Sequence, residues 1–242
     1  MTPALLVFVY GLLTALATGI GALPFIFVRS VSHRGVTYSN AVASGLMLGA
    51  CFGLIAEGTH YGVWQTIVGL NVGIAFILAA QQLLGRYEVR FGSPQDAGTR
   101  RIVLMMVVMT LHSFAEGVAV GTSFGGGITL AVLVTVAIAV HNIPEGLAIS
   151  AVLRPQGASI ARCAGWSVFS SLPQPLMAVP AFLFVDAFTP GLPFGIGFAA
   201  GAMALMVFLE LLPEAFERER RPKVALLVSA TFVGMILFQR VL

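Results

Sequence analysis

ITLAVLVTVAIAVHNIPEGLAISAVL, Ile128 to Leu153, is a run of 26 residues bounded by Gly125-Gly126-Gly127 and by Arg154. As a helix it is about 39 Å long, more than the ~30 Å hydrocarbon core of a bilayer demands. It contains no Lys or Arg, yet near its middle stand His141, Asn142, Pro144 and Glu145. Ionisable groups at that depth are expensive and imply a task. This stretch therefore predicts both a membrane span and a site within it.

Seven further apolar stretches accompany it: Pro3–Val28, Ser39–Glu57, Tyr61–Leu84, Ile102–Phe124, Ala158–Val185, Phe194–Glu214 and Val224–Val241. None shows sustained alternation of apolar and polar residues, so helices rather than a barrel are expected to satisfy the backbone in lipid. The predicted fold class is all-α, a polytopic membrane protein with eight transmembrane helices. Composition agrees: 58% of residues are hydrophobic and 10% charged, against about 25% charged in soluble domains. The mean hydropathy of +0.96 points the same way. Residues 1–242 are expected to form a single transmembrane domain. The first stretch has no positive residue before it and is long for a signal sequence, so it is expected to be retained.

Eight crossings place both termini on one side. The 13 Lys and Arg then divide into 12 on the opposite side, from Arg29 to Lys223, and a single one, Arg240, on the side of the termini. Positive residues stay cytoplasmic, so the termini are expected to be non-cytoplasmic and the polar loop of about residues 85–101 cytoplasmic. The net charge of +3 forms no basic stripe interleaved with aromatics, and no nucleic-acid partner is expected. Cys51 and Cys163 lie in different apolar stretches and form no CxxC, which favours simple packing. Glycines four apart, at Gly45, Gly49 and Gly53 and again at Gly197 and Gly201, predict close helix contacts.

The fourth stretch reads His112-Ser113-Phe114-Ala115-Glu116-Gly117, and the fifth repeats it 29 residues later as His141-Asn142-Ile143-Pro144-Glu145-Gly146. His at i and Glu at i+4 lie on one helix face, one turn apart. Two such helices joined by the glycine turn become antiparallel neighbours whose polar faces converge. Two imidazoles and two carboxylates suit Zn²⁺ or another first-row divalent cation, which also offsets the cost of burying the acids. Pro144 frees the Val140 carbonyl beside His141, and interrupted helices at the midplane are frequent in transporter sites. The alternative is a His–Glu network that only holds helices together; duplication at matched depth favours the metal. Ser113 and Asn142 could line the site or cross-link helices. Gln174, within Ser170-Ser171-Leu172-Pro173-Gln174-Pro175, could face the same cavity or satisfy carbonyls freed by the prolines. Glu214 reads as a solvated helix-end charge. Glu57 and Glu210 sit towards span ends, where they could line a route or reach water.

These motifs resemble the ZIP (Zrt/Irt-like) metal transporters, particularly bacterial zinc-uptake members. The HNxPEG element at His141–Gly146, the earlier His112-x3-Glu116-Gly117, Ala17–Pro24, Glu57 and Glu210-Leu211-Leu212-Pro213 carry the likeness across nearly the whole chain. The resemblance implies a 3+2+3 helix arrangement, an elevator-like or rocking motion and a binuclear centre. His112, Glu116, His141 and Glu145 are expected to hold the primary ion. Ser113, Asn142 and Gln174 are expected around a second ion that shares Glu116 and Glu145. Here Ser113 replaces the usual Asn, Ala115 the usual Pro and Gln174 a frequent Glu, so the second site has lost negative charge.

The expected function is secondary transport of divalent metal into the cytoplasm by alternating access. Zinc comes first, with iron, manganese or cadmium as further substrates, and the ion is cargo rather than cofactor. The expected setting is a bacterial inner membrane, with the lipid bilayer and the ion as partners and a homodimer as one candidate assembly. No GxxxxGK[ST] loop supports ATP-driven pumping. An intramembrane metalloenzyme is the alternative, but HExxH is absent and di-iron bundles use Glu-x-x-His with further carboxylates. An enzyme is therefore not expected. A non-transporting metal sensor is the third reading.

Overall fold

The computed structural model describes residues 2–28, 33–86, 96–219 and 221–241, and among them all regular structure is helical. The helices are α1 (Pro3–Ile20), α2 (His33–Tyr61), α3 (Val63–Arg86), α4 (Asp96–Ser123), α5 (Ile128–Leu153), α6 (Ile160–Ser171), α7 (Pro173–Ala187), α8 (Gly191–Met206), α9 (Leu212–Arg218) and α10 (Arg221–Val241). Among the described residues, seven segments are long and apolar enough to cross a bilayer; six of them centre on α1, α2, α3, α5, α8 and α10, and α6 with α7 forms the seventh. The chain is an all-α polytopic membrane protein. α4 covers the remaining predicted span and runs for 28 residues.

Helix covers both edges of the polar stretch expected as a loop at about 85–101. Helix extends through Arg86 and resumes at Asp96, and residues 87–95 lie outside the described residues, as does the charge at Arg29. Backbone hydrogen bonding inside a helix carries these polar turns beyond the apolar segments to which hydropathy is sensitive.

Local chemistry sets the breaks. Pro3 opens α1, where its missing N–H costs nothing. Gly127, with φ +99°, makes the turn between α4 and α5, a conformation that glycine adopts without a Cβ penalty. Ser159 caps α6 by accepting from the Arg162 amide at 3.2 Å. Pro173 and Pro175 supply no amide hydrogens, and the sixth span divides at Leu172 into α6 and α7. Pro213 has the same effect on the seventh: the preceding turn, Val207–Leu211, widens to a π-helix before α9 begins.

Two groups of helices pack together. In one, α3 lies along α8 and α2 lies along α10; in the other, α1, α4, α5, α6 and α7 surround each other, and α2–α5 and α4–α8 contacts join the groups. The predicted glycines account for the closest approaches. A Cβ on Gly197 or Gly201 meets the carbonyls of Thr66 and Leu70, and one on Gly69 or Gly73 meets those of Phe194 and Phe198. Gly45 and Gly49 likewise admit the Val228 and Phe232 carbonyls of α10. Small residues substitute backbone proximity for hydrophobic driving force, which is missing between helices in lipid. Phe76, Phe114 and Phe198 fill the junction of α3, α4 and α8, with ring centroids 5.3–6.4 Å apart.

Ends alternate as a serpentine bundle requires. Arg34 Nε pairs with Glu219 Oε1 at 3.0 Å at one end, while Tyr61 Oη donates to the Gly126 carbonyl at 3.3 Å at the other. Glu214 departs from expectation: it is half-buried and accepts from Asn40 Nδ2 at 3.0 Å. The register of α2 against α9 brings Asn40, itself buried, across from it, which the local sequence does not specify.

Candidate metal centre

His112 and Glu116 come from α4, and His141 and Glu145 from α5, about 20 Å along α5 from its first residue to His141. All four are buried, with exposures of 0–4%. One ligand atom from each lies within 4.8 Å of all the others. The pairing is crossed between the helices. His141 Nε2 is 2.7 Å from Glu116 Oε1, and His112 Nε2 is 2.9 Å from Glu145 Oε1 and 3.5 Å from Glu116 Oε1. Ligand atoms in a tetrahedral site with bonds of about 2.0–2.1 Å stand about 3.3 Å apart. The cluster matches that scale, so four side chains can meet one ion with small adjustments.

Two details separate this cluster from an ordinary polar crosslink. His112 Nε2 and Glu145 Oε1 lie 2.9 Å apart and, among the described residues, make no well-aligned hydrogen bond. A shared cation engages both atoms at once. The other nitrogen of His112, Nδ1, faces Met206 Sδ at 3.4 Å, which leaves Nε2 as the atom turned to the carboxylates. His141 Nδ1 is also buried without a partner.

A second layer adjoins the cluster. Gln174, fully buried at the second position of α7, donates from Nε2 to Glu116 Oε2 at 2.5 Å. Its Oε1 accepts from Asn142 Nδ2 at 3.3 Å, and that same amide donates to the Thr14 carbonyl at 2.9 Å. Gln174 thus lies against the His–Glu cluster, and Asn142 crosslinks α5 to α1 and touches the layer around Glu116. Ser113 is buried on α4, but among the described residues no hydrogen bond ties it to the cluster. Met206 and Thr14 escaped the sequence reading. A methionine in an apolar helix signals packing, and Thr14 contributes a backbone carbonyl, which no residue type advertises.

The glycines that follow each glutamate have a positional reason. A Cβ on Gly117 meets the backbone of Gln174, and one on Gly146 meets the Thr18 carbonyl of α1. Each lets a neighbouring helix close over the site. Gly21 returns the contact against Ile143 and Leu147 of α5.

Comparison with known proteins gives a consistent picture. Residues 92–238 match the family model described as ZIP zinc transporter, a range that includes every candidate ligand. An Arabidopsis thaliana protein whose zinc-transporter name is provisional is 46% identical over 93% of this chain, which spans only 37% of that longer protein. Zinc transporter GufA of Myxococcus xanthus is 31% identical, with 87% of this chain and 90% of GufA aligned. Zinc transporter ZIPB of Bordetella bronchiseptica is also 31% identical, over 91% of this chain and 76% of its own length. The match covers more than half of the sequence and extends along nearly full-length relatives, so the chain belongs to the ZIP family of zinc transporters.

Proposed function

We propose that this protein is a secondary transporter that carries Zn²⁺, and related divalent ions such as Fe²⁺, Mn²⁺ or Cd²⁺, into the cytoplasm through His112, Glu116, His141 and Glu145. The observation that carries this reading is the crossed cluster of two buried imidazoles and two buried carboxylates whose ligand atoms lie within 4.8 Å of one another. α4 is the eighth crossing in this reading, within a 3+2+3 chain order, and the termini are non-cytoplasmic. The 12-to-1 division of positive residues supports that orientation. Residues 1–242 act as one transport domain. Its bacterial relatives GufA and ZIPB favour a bacterial inner membrane.

The four side chains are buried, and conduction in this reading proceeds by a shift of the two helix groups against each other, by rocking or as an elevator. The cluster rides on α4 and α5 of one group, and α2 and α8 form the wall of the other. One ion is bound at a time. Gln174 already presents an amide hydrogen to Glu116 Oε2 where a second cation needs that oxygen. Asn142 and Ser113 offer only neutral oxygens there.

The test is Zn²⁺ uptake into proteoliposomes by H141A and E145A, with folding followed by size-exclusion profile and thermal unfolding. Uptake is expected to vanish while folding persists; undiminished flux in both variants removes the route from this cluster. Metal binding without accumulation by the unaltered protein turns the reading to a sensor.

A further inference from the structure

A second polar constellation lies away from the cluster, at the end of the bundle that holds the end of α2 and the end of α10. A cavity of about 280 Å³ opens there, lined by Glu57 and His60 of α2, Leu133 of α5 and Gln239 and Arg240 of α10. Glu57 and His60 are three residues apart and so share one face of α2. Arg240 is the one positive residue that the charge division leaves on this side, and its position is this cavity. Glu57 and Arg240 line it together, yet among the described residues no ion pair joins them. A second, smaller space of about 10 Å³ has Glu57, Leu133 and Gln239 in its lining as well and reaches Ala137 and Ile138, the latter about one turn before His141. It has room for little more than one water. The Gln239 amide lies against Gly53, and both residues border the two spaces.

We propose that this cavity is an outer capture site for a hydrated divalent cation, with Glu57 and His60 as its ligands and Arg240 as a resident counter-charge that the cation displaces. This rests on the transport reading for its direction, since the ion then moves on towards the central cluster. One carboxylate and one imidazole, with water completing the shell, bind first-row divalent ions weakly, as a site that must release its ion requires. The Arg240 guanidinium cannot lose its charge. It repels the arriving ion and attracts Glu57, so it lowers occupancy. Removing Glu57 and removing Arg240 must therefore act in opposite directions, which a purely structural role for either does not produce.

Mn²⁺ binding to purified protein, followed by electron paramagnetic resonance, tests the site directly. In H141A/E145A, and separately in E145Q in case the double variant is unstable, a weak Mn²⁺ site is expected to persist. It should disappear when E57Q and H60A are added; persistence after that addition overturns the proposal. In Zn²⁺ uptake, E57Q is expected to raise KM by about threefold to tenfold and to alter the maximal rate less, while R240Q lowers KM. KM shifts in the same direction for both, or no shift in either, also overturn it. Absence of uptake by the unaltered protein rejects the transport reading, and the Mn²⁺ measurement still decides the outer site.

Discussion

The two halves of the His-x3-Glu-Gly repeat have nearly the same sequence but different surroundings. On α4, Glu116 is held from two sides, by His141 and by the Gln174 amide. On α5, Glu145 pairs with His112 at 2.9 Å, and among the described residues no amide donates to it. In the proposed site Glu116 thus serves scaffold and ion alike, whereas Glu145 serves mainly the ion. A duplicated motif gives matched donors, and the helices that pack against each copy assign them different work.

The sharpest way to break this comparison is to neutralise each acid. E145Q and E116Q are both expected to reduce Zn²⁺ uptake by about 100-fold or more. Only E116Q should also destabilise the fold, by about 1–3 kcal/mol, because it disturbs two buried partners. Equal thermal unfolding of the two variants removes the asymmetry. Acidity acts on both halves at once. Imidazole and carboxylate bind metal only when deprotonated, so protons compete with the ion. Zn²⁺ affinity, read by chelator competition, is expected to fall by about tenfold or more from pH 7 to pH 5. A flat profile excludes imidazole ligation.

Gln174 donates to Glu116 on the α4 half and accepts from Asn142 beside the α5 half. Q174L leaves Glu116 Oε2 and Asn142 Nδ2 short of a partner, and about a tenfold loss of Zn²⁺ affinity is expected. An unchanged affinity assigns the amide to packing alone. Gly146 and Gly117 test the packing behind each half. G146A forces α1 from α5 and is expected to cost about 1–3 kcal/mol in thermal unfolding, with G117A similar through α7. Unaltered unfolding in both shows that the close approaches relax easily. S113A, at a position outside the hydrogen-bonded cluster, is expected to leave uptake within about twofold; a large loss returns Ser113 to the ligand set.

Much of this was legible in the chain itself. Apolar run lengths predicted the spans, and α5 has the bounds that Ile128–Leu153 announces, because a helix in lipid answers to its own hydropathy and its own punctuation. Repetition likewise marked His112, Glu116, His141 and Glu145, since a buried ionisable pair recurring at one spacing has few purely structural explanations. What depended on neighbours was not legible. Glu214 read as solvated until α2 brought Asn40 to it, and Gln174 stayed open between two readings until α7 was placed against α4.

The sequence by itself determined the solvent, the helical class and the four ionisable candidates at the centre, because these follow from composition and from spacing within single helices. Only the tertiary structure decided the crossed pairing, the engagement of Gln174, the Met206 contact of His112 and the meeting of Glu57, His60 and Arg240 in one cavity. Those joins link residues as far apart as α2 and α10. They depend on how deeply each helix sits against the next, which is fixed by glycine contacts between backbones rather than by any local pattern.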